Sequence, residues 1–258
     1  MFRPESRRFA AIKVECWSSS VMLTSMMSGA FIMIEGGGSL GRTAQVHRLT
    51  MRLRSQGIDV VEMPEIGAAD DNAAIVNLLE RSPLGQWSPE AEALLMFAAH
   101  NDLLEKVVRP ALAGGRWIIG TGFADASRAR QSARSEAEAA WVQIVEDAVV
   151  GPDRPNLTFI LEGASTSSAD KGSSHALLNG MGTISQRTRR TLLDIARGDP
   201  ERCRLVDPSD GDDAVAETIW NAVKVVLGER GHCLADGEFG ARPIEDGSGP
   251  QGMDATVR

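Results

Sequence analysis

The run Glu35-Gly36-Gly37-Gly38-Ser39-Leu40-Gly41-Arg42-Thr43 follows the apolar segment Phe31–Ile34 directly and opens an amphipathic helical pattern. It reads G-x-x-x-x-G-[R]-T between a strand and a helix, the setting of a phosphate-binding loop. Glycines let successive backbone N–H groups turn toward an anion, and the helix N-terminus adds partial positive charge. The candidate nucleotide-binding residues are Gly36, Gly38, Ser39, Gly41, Arg42 and Thr43, with Arg42 standing where such loops carry lysine. The competing reading of the glycines is a plain tight turn.

Around this loop, short apolar runs alternate with helical periodicity. The pattern predicts strands at Phe31–Ile34, Ile58–Val61, Trp117–Ile119, Leu157–Leu161 and Cys203–Val206. It predicts a helix over Thr43–Gln56 with Val46, Leu49 and Leu53 inward, and one over Asn72–Leu79 with Ile75, Leu78 and Leu79 inward. A long helix begins at the Ser88-Pro89 cap and must kink or restart near Pro110. Ser135 and Glu138 form a capping box for a helix burying Trp141, Ile144, Val145 and Ala148. Ile184–Arg197 and Asp212–Leu227 complete the helices, the last with Val215, Ile219, Val223 and Val226 inward. Alternation of this kind gives an α/β fold, a three-layer sandwich around a parallel sheet. Leu157–Leu161 is apolar throughout, as a strand covered on both faces requires.

Composition narrows the partners. The formal net charge of −8 gives no reason to expect a nucleic-acid backbone or an anionic membrane as partner. Residues 1–29 read as a loosely ordered extension, too broken by Lys13, Glu15 and Ser18–Ser20 for a signal peptide. Met22, Met26 and Met27 are alternative starts within that extension. Residues 30–228 form the domain, and 229–258 an acidic, glycine-rich tail. Cys16, Cys203 and Cys233 form no paired framework, so a reducing cytoplasmic setting is expected, and His232-Cys233 alone makes a poor metal chelate.

From Phe31 to about Leu227 the chain resembles the thymidylate kinases. The family's E-G-x-D-G-x-G-K-[ST]-x-Q lies over Glu35–Gln45, and its G-x-x-V-V-x-T-R-E-P-G over Gly57–Gly67. Pro110-Ala111-Leu112-Ala113-Gly114-Gly115 matches P-A-L-x-x-G beyond the long helix. D-R-[YF]-x-x-S-x-x-A-Y-Q lies over Thr121–Gln131, P-D-L-T-x-x-L-D over Pro155–Glu162, and P-E-R-x-x-x-[IV]-D over Pro200–Asp207. R-x-R-x-x-Y-L-x-L-A lies over Arg187–Ala196. The resemblance implies a P-loop nucleoside monophosphate kinase fold, with Thr43 as the Mg²⁺ ligand. It implies substrate contacts at Glu65, Met96, Phe97, His100, Ser127 and Gln131. Met96 and Phe97, apolar at helical spacing, read more readily as core, and Ser127 and Gln131 read equally as caps of a following helix.

The departures fall where that family does its chemistry. The loop Asp is Gly38 and the loop Lys is Arg42; the two phosphate-gripping arginines are Pro64 and His100. The Asp-Arg pair is Thr121-Gly122, and the tyrosine near the base is Arg130 in a chain with no tyrosine. Residues 163–183, where an arginine-bearing lid is expected, hold Lys171 as their sole basic group. Phosphoryl transfer rests on positioning and charge neutralisation, so these losses point to an impaired or inactive kinase, a pseudokinase with residual nucleotide binding at most. The alternative is an active nucleoside monophosphate kinase, with ATP and Mg²⁺ as cofactors and dTMP or a relative as acceptor. A nucleotide ligand and a second copy of the chain, as in a homodimer, are the candidate partners; nucleic acid and membrane are not.

Overall fold

The computed structural model describes residues 29–36, 41–64, 66, 73–80, 87–132, 136–162 and 186–230. The terminal extension, the tail, Ser135 and the expected lid lie outside the described residues.

Among the described residues, five parallel strands stand in the order β2-β3-β1-β4-β5: β1 (Phe31–Gly36), β2 (Val60–Glu62), β3 (Trp117–Gly120), β4 (Leu157–Leu161) and β5 (Cys203–Val206). The central strand, β1, pairs with β3 through Ile32↔Ile119 and with β4 through Ile34↔Phe159. The expected three-layer α/β sandwich is present. Its first helix, α1 (Arg42–Ser55), leaves the loop after β1. Next come α2 (Ala73–Glu80), α3 (Pro89–Leu103), α4 (Arg109–Ala113), α5 (Ala124–Ser132), α6 (Glu136–Val149), α7 (Gln186–Gly198) and α8 (Asp212–Glu229).

Strand alternation divides the interior. Phe31 and Met33 face a core shared with Phe97, Leu103, Leu104, Val108 and Phe123. Ile32 and Ile34 face the other side, against Val46, Leu49 and Leu53 of α1 and Val215, Ile219 and Val223 of α8. Every residue of β1 is buried, so the strand serves both cores.

Ser88 caps α3 as expected, accepting the Ala91 N–H at 3.2 Å, with Pro89 in the first turn. The disturbance expected at Pro110 takes the form of a π-helical stretch, Leu104–Val108, between α3 and α4. Proline has no N–H to offer the preceding turn and its ring crowds the carbonyl four residues back, and a widened turn accommodates both.

Three sequence expectations are corrected. The sequence pattern predicts no helix between β3 and α6, yet Ala124–Ser132 is one; it buries Ala124, Asp125, Ser127 and Ala129, side chains too small or too polar to give an apolar stripe. On α6, Trp141 and Val145 meet the core as expected, Val142 and Glu146 are buried beside them, and Ile144 and Ala148 are exposed. The inward stripe contains a charge because Glu146 pairs with Arg154 at 2.9 Å and Arg128 at 3.2 Å. On α2, Leu78 is exposed while Leu79 and Ile75 meet the core.

Candidate functional site

The site begins where β1 gives way to α1. Gly36 has φ +143°, and a Cβ there would lie 2.7 Å from the Leu161 carbonyl oxygen, so only glycine fits. Gly41, at φ +71°, caps α1 in the left-handed region. Gly38 and Ser39 lie outside the described residues, as does Glu65.

Arg42 is the first residue of α1 and is buried. Its Nη1 donates to Thr121 Oγ1 at 3.0 Å and stands 4.0 Å from Glu35 Oε2. Thr43, one residue on, is exposed. Glu35 is completely buried; its Oε1 accepts the Phe123 N–H at 2.8 Å and its Oε2 the Gly122 N–H at 3.1 Å. Those groups lie just before α5, so the carboxylate sits at the positive end of that helix. Burial pushes the Glu35 carboxyl above its ordinary range, against the opposing pull of Arg42 and the two N–H groups.

His100, on α3, is fully buried and its Nε2 lies 2.9 Å from Ser127 Oγ on α5. Its ring meets Phe123 edge-on at 4.9 Å and Phe97 at 5.6 Å. Burial first, and the charge of Arg130 second, hold its imidazole down to about 3, so it is neutral at physiological pH. Met96 and Phe97 sit inside the core beside it. Gln131 is half-buried, one turn beyond Ser127 on α5. Thus Arg42 and His100–Ser127 are both linked to the segment that follows β3. Arg187, Arg189 and Arg190 form an exposed face of α7, with Arg189 paired to Glu162 at 3.0 Å.

The sequence reading assigned no role to a second polar cluster, behind α5. Arg202 grips Asp125 with two hydrogen bonds, at 2.6 and 3.0 Å, and donates to Asp199 at 2.7 Å and Thr158 at 3.0 Å. Burial works against its charge, yet Asp125 and Asp199 raise its affinity for the proton well above the ordinary arginine range. The signal was present in Pro200-Glu201-Arg202, but its partner lies 77 residues earlier.

The donors at the loop can be compared with what a magnesium-bound triphosphate requires: hard oxygen ligands and cations free to face phosphate oxygens. Glu35 is engaged by backbone N–H groups, position 121 carries a hydroxyl that accepts from Arg42, and Arg42 is bonded inward. Among the described residues no cluster of three His, Cys, Asp or Glu side chains could hold a metal. Thr43, exposed at the start of α1, is the described loop residue that would offer such a group a hydroxyl oxygen.

Parallel strand order, a glycine-turned loop at the end of the central strand and a helix rising from it define the class: the P-loop nucleoside monophosphate kinase fold. Comparison with known proteins carries this to a particular group. The chain belongs to the thymidylate kinase family, whose profile, described as "Thymidylate kinase", matches residues 34–219. It is 37% identical over 208 residues to a thymidylate kinase of Caulobacter vibrioides, covering 79% of this chain and 100% of that one. It is 31% identical over 215 residues to a thymidylate kinase of Bradyrhizobium diazoefficiens, covering 80% and 94% of the two chains. In structure it resembles thymidylate kinase from Ehrlichia chaffeensis, with a TM-score of 0.57 and 21% identity over 76% of this chain and 99% of that one, a likeness of fold. Among the described residues no helix is long and apolar enough to cross a membrane.

Proposed function

We propose that this protein is a thymidylate kinase relative whose phosphoryl-transfer chemistry is impaired or lost: a pseudokinase that keeps the fold and at most residual nucleotide binding. His100 carries the reading. The resemblance implies a phosphate-gripping arginine at this position; the chain has a buried imidazole, bonded to Ser127 and held neutral. A neutral ring offers a phosphate dianion one hydrogen bond and no charge, and Pro64 and Gly122 add nothing at the other two arginine positions. Loss of one transition-state arginine costs about 10³–10⁵ in rate. With ATP, Mg²⁺ and dTMP, ADP formation is expected to run more than about 10³-fold slower than in the Caulobacter relative. Turnover closer than that would sink the reading and favour the alternative, an active kinase passing the ATP γ-phosphate to dTMP or a related nucleotide.

A homodimer is part of the same reading. Leu78, Leu94 and Ile144 are all more than half exposed, on α2, α3 and α6, and α3 packs against both of the others. Outward leucine and isoleucine on neighbouring helices are the kind of surface a second copy covers. Sedimentation is expected to show a dimer that Ile144→Glu splits; a monomeric parent protein would refute it. The unit carrying the fold is residues 30–228, and the buried free thiol of Cys203 suits a reducing cytoplasm.

A further inference from the structure

We propose that Arg42 is an interior tie rather than an anion ligand: its guanidinium fastens the start of α1 to the end of β3 without any bound nucleotide. This rests on the impaired-kinase reading and specifies how its loop is held.

Three observations meet at one point. Arg42 is buried although it opens a helix beside a glycine loop, where a phosphate ligand needs to be reachable. It donates to Thr121, which follows β3 directly and lies 79 residues away in sequence. Glu35, 4.0 Å from the same guanidinium, accepts from Gly122 and Phe123, so both side chains bind one segment. The cluster therefore joins the end of β1, the start of α1 and the entry to α5 through hydrogen bonds that need no ligand. Arginine suits this role better than lysine. Its planar fork reaches further and can address a hydroxyl and a carboxylate together, whereas an ammonium is a compact point charge. The residue change that weakens the loop for phosphate thus strengthens it as a joint.

The test uses the full chain without nucleotide: thermal melts of Arg42→Lys, Thr121→Val and the double variant, then calorimetry of each with Mg-ATP. Each single change is expected to lower Tm by about 3–6 °C, from the loss of a charge-assisted hydrogen bond in a domain of this size. The double variant should lose little more than the worse single, because both remove one interaction. Arg42→Lys should bind Mg-ATP no more tightly than the parent. Additive losses would overturn the tie, as would an Arg42→Lys protein that keeps its Tm and gains tenfold or more in Mg-ATP affinity. Should Arg42→Lys fail to fold, Thr121→Ser is expected to keep the parent Tm where Thr121→Val does not, and equal melting of the two would overturn it. An active parent enzyme with the coupling intact would refute the impaired-kinase reading and leave the tie standing.

Discussion

Arg202→Ala is expected to lower the unfolding free energy by about 3–5 kcal/mol, read from urea denaturation at neutral pH. The guanidinium is nearly buried and meets Asp125 with both terminal nitrogens, in the bidentate geometry that makes Arg–carboxylate pairs strong. Its removal leaves the Asp125 carboxylate enclosed, with the Thr158 hydroxyl donating to it at 3.2 Å in place of a counter-charge. A buried charge without its counter-charge is what makes such a variant costly; the pair as a whole contributes far less, because two ions had to be desolvated. The paired replacement Asp125→Leu with Arg202→Met should therefore recover most of the loss. If Arg202→Ala costs under about 1 kcal/mol, the pair is not the buried element described above.

The second large effect is a dependence on acid. Unfolded, His100 takes up a proton near 6.5; folded, burial delays this to about 3. Between those values the unfolded chain binds more protons, so this residue's share of stability is complete above 6.5 and is withdrawn as pH falls toward 3. The slope approaches about 1.4 kcal/mol per pH unit. His100→Gln, which can still bond Ser127 and does not titrate, should show a flatter acid limb in urea titrations from pH 7 to 4. Parallel limbs for the two proteins would rule this out.

The fold could be read from the chain because its strands are short, mostly apolar runs set between helical patterns. Cys203–Val206 and Leu157–Leu161 were legible to the residue. Helix α5 was not, since it buries alanines, a serine and an aspartate and shows solvent mostly polar side chains. The inward face of α6 was legible in part: Trp141 and Val145 meet the core, but Glu146 occupies a position that hydrophobic periodicity assigns to apolar residues, and Arg128 and Arg154, brought in by tertiary structure, make that tolerable. The glycine loop was visible in sequence, and so were the substitutions around it. Their consequences were not: nothing in the spacing says that Arg42 meets Thr121 or that His100 meets Ser127, because each pair is assembled by the sheet.

The position of α8 bears on synthesis. One face of β1 is closed by α1, which follows it directly, and by α8, which comes from the other end of the domain. The two helices are joined by Arg48–Asp213 and Arg52–Glu217, both 165 residues apart, and Arg52 also lies over the Trp220 ring at 4.5 Å. While a ribosome is still making the middle of the chain, α1 has a strand beneath it but lacks its partner, and Val46 and Leu49 remain uncovered on that side. Cooperative completion of that face waits for residues 212–229 to emerge, so a nascent or prematurely ended chain presents an apolar surface for chaperones to hold.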